Sequence, residues 1–202
     1  DVISLGKLRA EAGEVNPARW LRRLAERMQH CLNAFEATEV PIIGALEGRV
    51  IGLGLELALS FDLRVGAENL QLSMPEARLG LVADVGGTSR LCRTIGVPRT
   101  KDMLMTAREI SAAEALQWGL LNRVAPPGET LAAAQTLAAD IVKNAPLAVG
   151  MAKRIVDQGT GLDLNSHMAL ERWAQSQLIG SEDVGEALSA FLEKRSPAFR
   201  GR

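Results

Sequence analysis

Three carboxylic acids and two glycine-rich turns are the residues of this sequence best suited to do chemistry. Glu56 follows Gly52-Leu53-Gly54 and sits among Leu53, Leu55, Leu57, Ala58 and Leu59. Glu76 comes twenty positions later, after Pro75 at the end of the apolar run Leu70-Gln-Leu-Ser-Met74. Asp84 stands between Ala83 and Val85, just before Gly86-Gly87-Thr88. Two carboxyl groups can hold a water between them, one as base and one as acid, if burial moves their pKa values apart. Glycine lets a backbone come close to a ligand. A helix N-terminus presents unpaired N–H groups with a favourable dipole, which suits a developing negative charge.

Each acid also has a plainer reading. Glu56 in a first helical turn complements the helix dipole. Glu76 after a proline is a solvated turn acid or a cap for the short Glu76-Ala-Arg-Leu turn. Asp84 before two glycines is a turn-former or N-cap. It is the three together, beside two glycine-rich backbone sites, that point to an acid–base pocket with an oxyanion site. Other chemistries find less support. Gly52-Leu-Gly54 is followed by Leu57, so no G-x-G-x-x-G forms, and no phosphate-binding G-x-x-x-x-G-K-[ST] occurs. Ser60 and Ser73 lack a G-x-S-x-G elbow. His30 and His167 lie in helical stretches away from the glycine turns, which disfavours a Ser/His triad. Cys31 and Cys92 belong to no C-x-x-C or Cys/His cluster, so no structural metal site is expected and a reducing compartment fits.

The elements that position these residues read as follows. Asn16-Pro17 opens a helix with Trp20, Leu21, Leu24, Met28, Cys31, Leu32 and Phe35 on one apolar face. Ile42–Leu46 is a buried strand. The glycine turn with Gly48, Gly52 and Gly54 follows, then the Glu56 helix. Residues 61–66 and 70–74 are further strands. Residues 75–88 are irregular, and helices follow over about 90–96 and 98–107. Ser111-Ala-Ala-Glu114 is a capping box. Gly119 ends its helix, and residues 120–124 form a short strand. Two strands per helix, repeated, imply a layered α/β core. Pro126-Pro127-Gly128 is a hinge in composition, and four helices follow, over about 129–144, 146–159, 162–179 and 181–195. Residues 1–125 are thus expected to form the core, and 126–202 a helical region that packs on it or on another subunit. The net charge of −1 gives no general attraction to nucleic acid or anionic lipid. No apolar run approaches the roughly 20 residues of a membrane span, and no secretory leader pattern is present.

Gly52-Leu-Gly-Leu-Glu-Leu-Ala-Leu-x-x-Asp62, then Pro75-Glu76, then Gly80-Leu-Val-x-Asp84-Val-Gly-Gly-Thr-x-Arg90-Leu, resembles the crotonase superfamily of enoyl-CoA hydratases and isomerases. The last helices, with Ala148-Val-Gly-Met-Ala-Lys153 and the stretch Glu186–Phe199, are similar as well. The resemblance runs colinearly over nearly the whole chain. It implies a spiral of ββα units with a helical C-terminal part that builds trimers, often paired into hexamers. It implies an acyl-CoA thioester as substrate, with coenzyme A part of that substrate and no separate cofactor. The N–H of Leu53 would bind the thioester oxygen, and Glu56 and Glu76 would hold the water added to C2–C3. Asp84 departs from the hydratase pattern, which has a small residue there. It resembles the dienoyl-CoA isomerases, whose acid pair corresponds to Glu76 and Asp84. Phe191 and Lys194 match positions that help hold coenzyme A, in some members that of a neighbouring subunit. Asp1 resembles the acid of the Ala-Gly-x-Asp loop that carries the second oxyanion donor, so a segment upstream of residue 1 is expected. A cytoplasmic or mitochondrial-matrix location goes with this family. The expectation is an enoyl-CoA hydratase. The alternatives are a double-bond isomerase and a non-catalytic acyl-CoA-binding subunit.

Overall fold

The computed structural model describes residues 17–202 together with Gly6, Lys7 and Ala10. Asp1, the Asn16 cap and most of residues 1–15 lie outside the described residues. Helix α1, Pro17–Ala37, starts with proline at the first helical position, where its missing N–H would be unpaired anyway. Its apolar stripe is less fully covered than expected. Leu32 is buried, and Phe35 meets Phe61 edge-on with ring centroids 5.4 Å apart. Leu21 is exposed because α1 meets the core mainly through its C-terminal half, and within that half Cys31 is exposed beside the buried Leu32.

Two three-stranded sheets follow. One contains β1 (Ile43–Leu46), β3 (Leu63–Ala67) and β6 (Arg123–Ala125), all parallel. The other contains β2 (Arg49–Ile51), β4 (Gln71–Ser73) and β5 (Ile110–Ser111). Twice the chain gives one strand to each sheet and then a helix or turn; a short helix separates the last two strands, β5 and β6. Gly48, at φ 68°, makes the step from β1 to β2, a conformation that only glycine adopts at little cost. Strand β2 lies inside the stretch expected as a glycine turn. Its three residues, like the two of β5, are too few to show an alternation.

The pairing of β2 with β4 is parallel and joins Arg49 to Gln71, Val50 to Leu72 and Ile51 to Ser73. Both strands therefore end at the same edge. Helix α2 (Leu53–Leu59) leaves from one, and the 3-10 turn Glu76–Leu79 leaves just past the other. Helix α3, Gly87–Thr106, is broken at Gly96 (φ 77°, ψ 165°), two residues before Pro98. The two helices expected there are its halves. Ser111 caps α4 (Ala112–Gln117) by accepting from the Glu114 N–H, as its capping box predicts.

The helices α5 (Thr130–Ile141), α6 (Pro146–Gly159), α7 (Leu164–Leu178) and α8 (Glu182–Glu193) complete the described chain. Helix α5 packs Ala133, Ala134 and Leu137 on Ile43, Val65 and Ala125. Helices α6 and α7 form a pair in which Gly159 leaves room for the His167 ring, so that histidine serves packing. No described helix is long and apolar enough to cross a membrane.

Helix α6 is also tied to the start of the sheet. Lys153, its side chain only 6% exposed, sits 2.9 Å from Asp62 Oδ2. It also donates to the carbonyls of Phe35 and Val40, while Asp62 accepts from the Ile42 N–H. Removing one partner of a largely buried ion pair leaves the other charge uncompensated. Lys153→Met is therefore expected to lower the free energy of unfolding by about 3 kcal/mol, read from urea midpoints at constant slope. A loss below about 1 kcal/mol would place the pair among surface ion pairs.

Candidate active site

Helix α2 buries Leu55, Ala58 and Leu59, and on the same short helix it buries Glu56, which is 3% exposed. An ionised carboxyl in such a place needs donors. Glu56 Oε1 accepts from the N–H of Val85 at 2.8 Å and of Gly87 at 2.9 Å. Both belong to the glycine-punctuated stretch that runs from the 3-10 turn into α3. Gly87 must be glycine for this fit. A Cβ there would lie 2.9 Å from Glu56 Oε1 and would run into the end of Met74.

Glu76 reaches the same place from the neighbouring strand. Gly52 precedes α2 at φ 54°, and a Cβ on it would lie 2.6 Å from Glu76 Oε1. The missing side chain lets the Glu76 carboxyl rest against the N-terminus of the helix that carries Glu56. Glu76 Oε2 is buried with no protein partner. The N–H groups of Leu55 and Glu56 donate to the Gly52 carbonyl at 2.8 and 2.9 Å. Those of Leu53 and Gly54 therefore precede the first bonds of the helix. Leu53 occupies the first helical position, as the oxyanion reading requires.

Electrostatics couple the acids. Burial pushes the Glu56 carboxyl above its ordinary range, the two N–H bonds oppose that, and the charges of Glu76 and Asp84 add to the rise. Burial likewise raises Glu76, a backbone hydrogen bond opposes it, and the charge of Asp84 adds to it. Asp84 is itself exposed, at the rim. All three acids singled out in the sequence thus converge. Phe191 and Lys194 do not join them. Phe191 is 82% exposed on α8, Lys194 closes that helix at φ 55°, and among the described residues no contact links either to the acids. Among the described residues, no group of three or more His, Cys, Asp and Glu converges as metal ligands would.

The residues that hold the 83–87 stretch carry no role in the sequence reading. Arg90 stands in the motif quoted above, but its carboxylate partner, Glu36, lies 54 residues earlier on α1. A basic residue followed over a turn by no local acid is the one available signal.

Parallel strands that deliver one buried and one half-buried carboxyl to a helix N-terminus define an acid–base site on an α/β scaffold. A sequence model described as enoyl-CoA hydratase/isomerase matches residues 11–202. The chain belongs to the enoyl-CoA hydratase/isomerase family. It is 39% identical to a short-chain-enoyl-CoA hydratase of Clostridium acetobutylicum, over 83% of this chain and 64% of that protein. It is 36% identical to an enoyl-CoA isomerase/hydratase of Mycosarcoma maydis, over 97% and 70%. The crystal structure of an enoyl-CoA hydratase from Bacillus anthracis superposes with a TM-score of 0.88 at 35% identity, covering 92% of this chain and 72% of that one. The fold is accordingly the α/β crotonase-like one that the resemblance implied. The chain spans just under two thirds of the Clostridium protein's length.

An acid whose pKa is raised on folding destabilises the fold once it ionises. That penalty is absent below the unfolded pKa, near the ordinary 4.5, and complete above the folded value. Glu76→Gln removes it. The variant is expected to melt higher than wild type at about pH 8. The difference should shrink as the pH falls towards 4, as scanning calorimetry across pH would record. An equal or lower melting point at high pH would show that Glu76 ionises without strain.

Proposed function

We propose that this protein adds water across the 2,3 double bond of a trans-2-enoyl-CoA thioester. The observation that carries this reading is the meeting of Glu56 and Glu76 at the N-terminus of α2, with Glu76 Oε2 buried and unpartnered. Glu56 has two N–H donors on one oxygen, which favours its carboxylate and makes it the base towards water. Glu76 has none on its buried oxygen, which favours the carboxylic acid and makes it the proton source. The water oxygen bonds to C3 as Glu56 takes its proton. The electrons of the double bond move to the thioester oxygen, which the Leu53 N–H stabilises. A proton from Glu76 then goes to C2. The addition is redox-neutral and calls on no separate cofactor. One oxyanion donor supplies roughly 10²–10³ in rate.

A second reading, double-bond isomerisation by Glu76 and Asp84, is favoured by one observation: the Asp84 carboxylate lies at the rim, where its charge acts on Glu76. Phe191 and Lys194 are proposed to meet coenzyme A across a subunit boundary. Exposed Trp173, Ile179, Leu188 and Leu192 on α7 and α8 and just past α7 supply apolar surface for self-association of the 126–202 region as a trimer or hexamer.

Mass spectrometry of a short trans-2-enoyl-CoA after incubation with the intact protein tests the proposal. Wild type should add one water, and Glu76→Gln should do so about 10²–10⁴ times more slowly. Unchanged enoyl-CoA with a rearranged dienoyl-CoA would overturn hydration in favour of isomerisation. Binding of both without any product would make the protein an acyl-CoA-binding subunit.

A further inference from the structure

Residues 83–86 belong to no helix or strand and lead into Gly87, the first residue of α3, yet three successive carbonyls among them each accept a side-chain donor. Thr88 Oγ1 donates to Ala83 O at 3.1 Å, Gln29 Nε2 to Asp84 O at 2.6 Å, and Arg90 Nη1 to Val85 O at 3.2 Å. In a trans peptide the carbonyl of one residue and the N–H of the next point in opposite directions. Gln29 therefore grips one end of the 84–85 peptide, whose other end, the Val85 N–H, meets Glu56. The 86–87 peptide is held in the same way. Its carbonyl accepts from the Arg90 N–H and from Ser89 Oγ, and its N–H meets Glu56. The peptide between them is held by the Arg90 guanidinium.

That guanidinium is itself fixed. Its side chain is 10% exposed and forms a fork with Glu36 at 2.6 and 3.1 Å. It also donates to Asn33 Oδ1 at 2.7 Å. It lies where a side chain on Gly86 would stand, and Gly86 is at φ 108°. Gln29, Asn33 and Glu36 follow at spacings of four and three, so they share one face of α1.

We infer that Gln29 and Arg90 are positioning residues for Glu56, through which helix α1 aims the two N–H groups that hold the catalytic carboxylate. The inference rests on the reading of Glu56 as the base. Loss of the grip lets the N–H groups turn away. Glu56 then faces the charges of Glu76 and Asp84 with less to favour its ionised form.

The test uses Gln29→Met, an exposed position where the fold is expected to survive, and Arg90→Lys, which keeps the charge and loses the fork. Gln29→Met should lower kcat and kcat/KM together by up to about tenfold. Arg90→Lys should lower them by about 10- to 100-fold, in keeping with a displaced catalytic group. In both, the acidic limb of the rate profile should move to higher pH. A carbon-13 titration of the Glu56 carboxyl should show its midpoint rising in step. Rates and limb unchanged in Gln29→Met would overturn the inference. So would a loss of rate with the acidic limb and carboxyl midpoint unmoved, since a merely structural role predicts that. Should Glu56→Gln retain full activity, the reading of Glu56 as base fails, and the carboxyl titration still decides the grip by itself.

Discussion

Glu56 shares its short helix with Leu55, Ala58 and Leu59, and there an ionised carboxyl without donors would cost several kcal/mol. Among the described residues the donors that reach it are backbone N–H groups from another segment, and this sets demands on the rest of the site. The segment must pass close, which requires Gly87. Its peptides must be turned the right way, which Thr88, Gln29 and Arg90 do. Helix α1 must lie alongside, which its own packing through Leu32 and Phe35 and the hold of Lys153 on Phe35 and Val40 secure. The partly exposed apolar stripe of α1 is understandable in that light. What the helix contributes to this site comes from its polar face near the C-terminal half, where Gln29, Asn33 and Glu36 stand.

The second constraint is the register of β2 on β4. Side by side and parallel, the strands end together, so residues twenty apart in sequence leave them at one edge. Glycine at position 52 then lets Glu76 lie against the helix end. Strand β4 keeps its register because Leu70, Leu72 and Met74 are buried and a shift of one residue would turn these side chains to the wrong face. Burial of the core and placement of the acids are thus decided by the same pairing.

Much of this was legible in the sequence. Glu56 and Glu76 each follow a strong turn signal, glycine in one case and proline in the other, and each interrupts an apolar pattern. The helices after Pro126 begin at signals such as Pro146 and Ser181, and their observed bounds lie within about three residues of the expected ones. What was not legible was either too short or too remote. Strands β2 and β5 have three and two residues. The pairing of Arg90 with Glu36 spans 54 positions, and nothing local in either stretch announces it. The exposure of Leu21 depends on how far α1 extends past its neighbours, which periodicity does not encode. The convergence of Asp84 with the two glutamates was suggested by the motif but depends on the same remote ties.

The most direct measurement of the central claim is isotope incorporation. A trans-2-enoyl-CoA is incubated with the intact protein in water enriched in both oxygen-18 and deuterium. If Glu56 and Glu76 share one water, the product carries the heavy oxygen at C3 and deuterium at C2. Deuterium entering the acyl chain without heavy oxygen would contradict the account. It would mean that the acids move protons on the substrate without adding water to it.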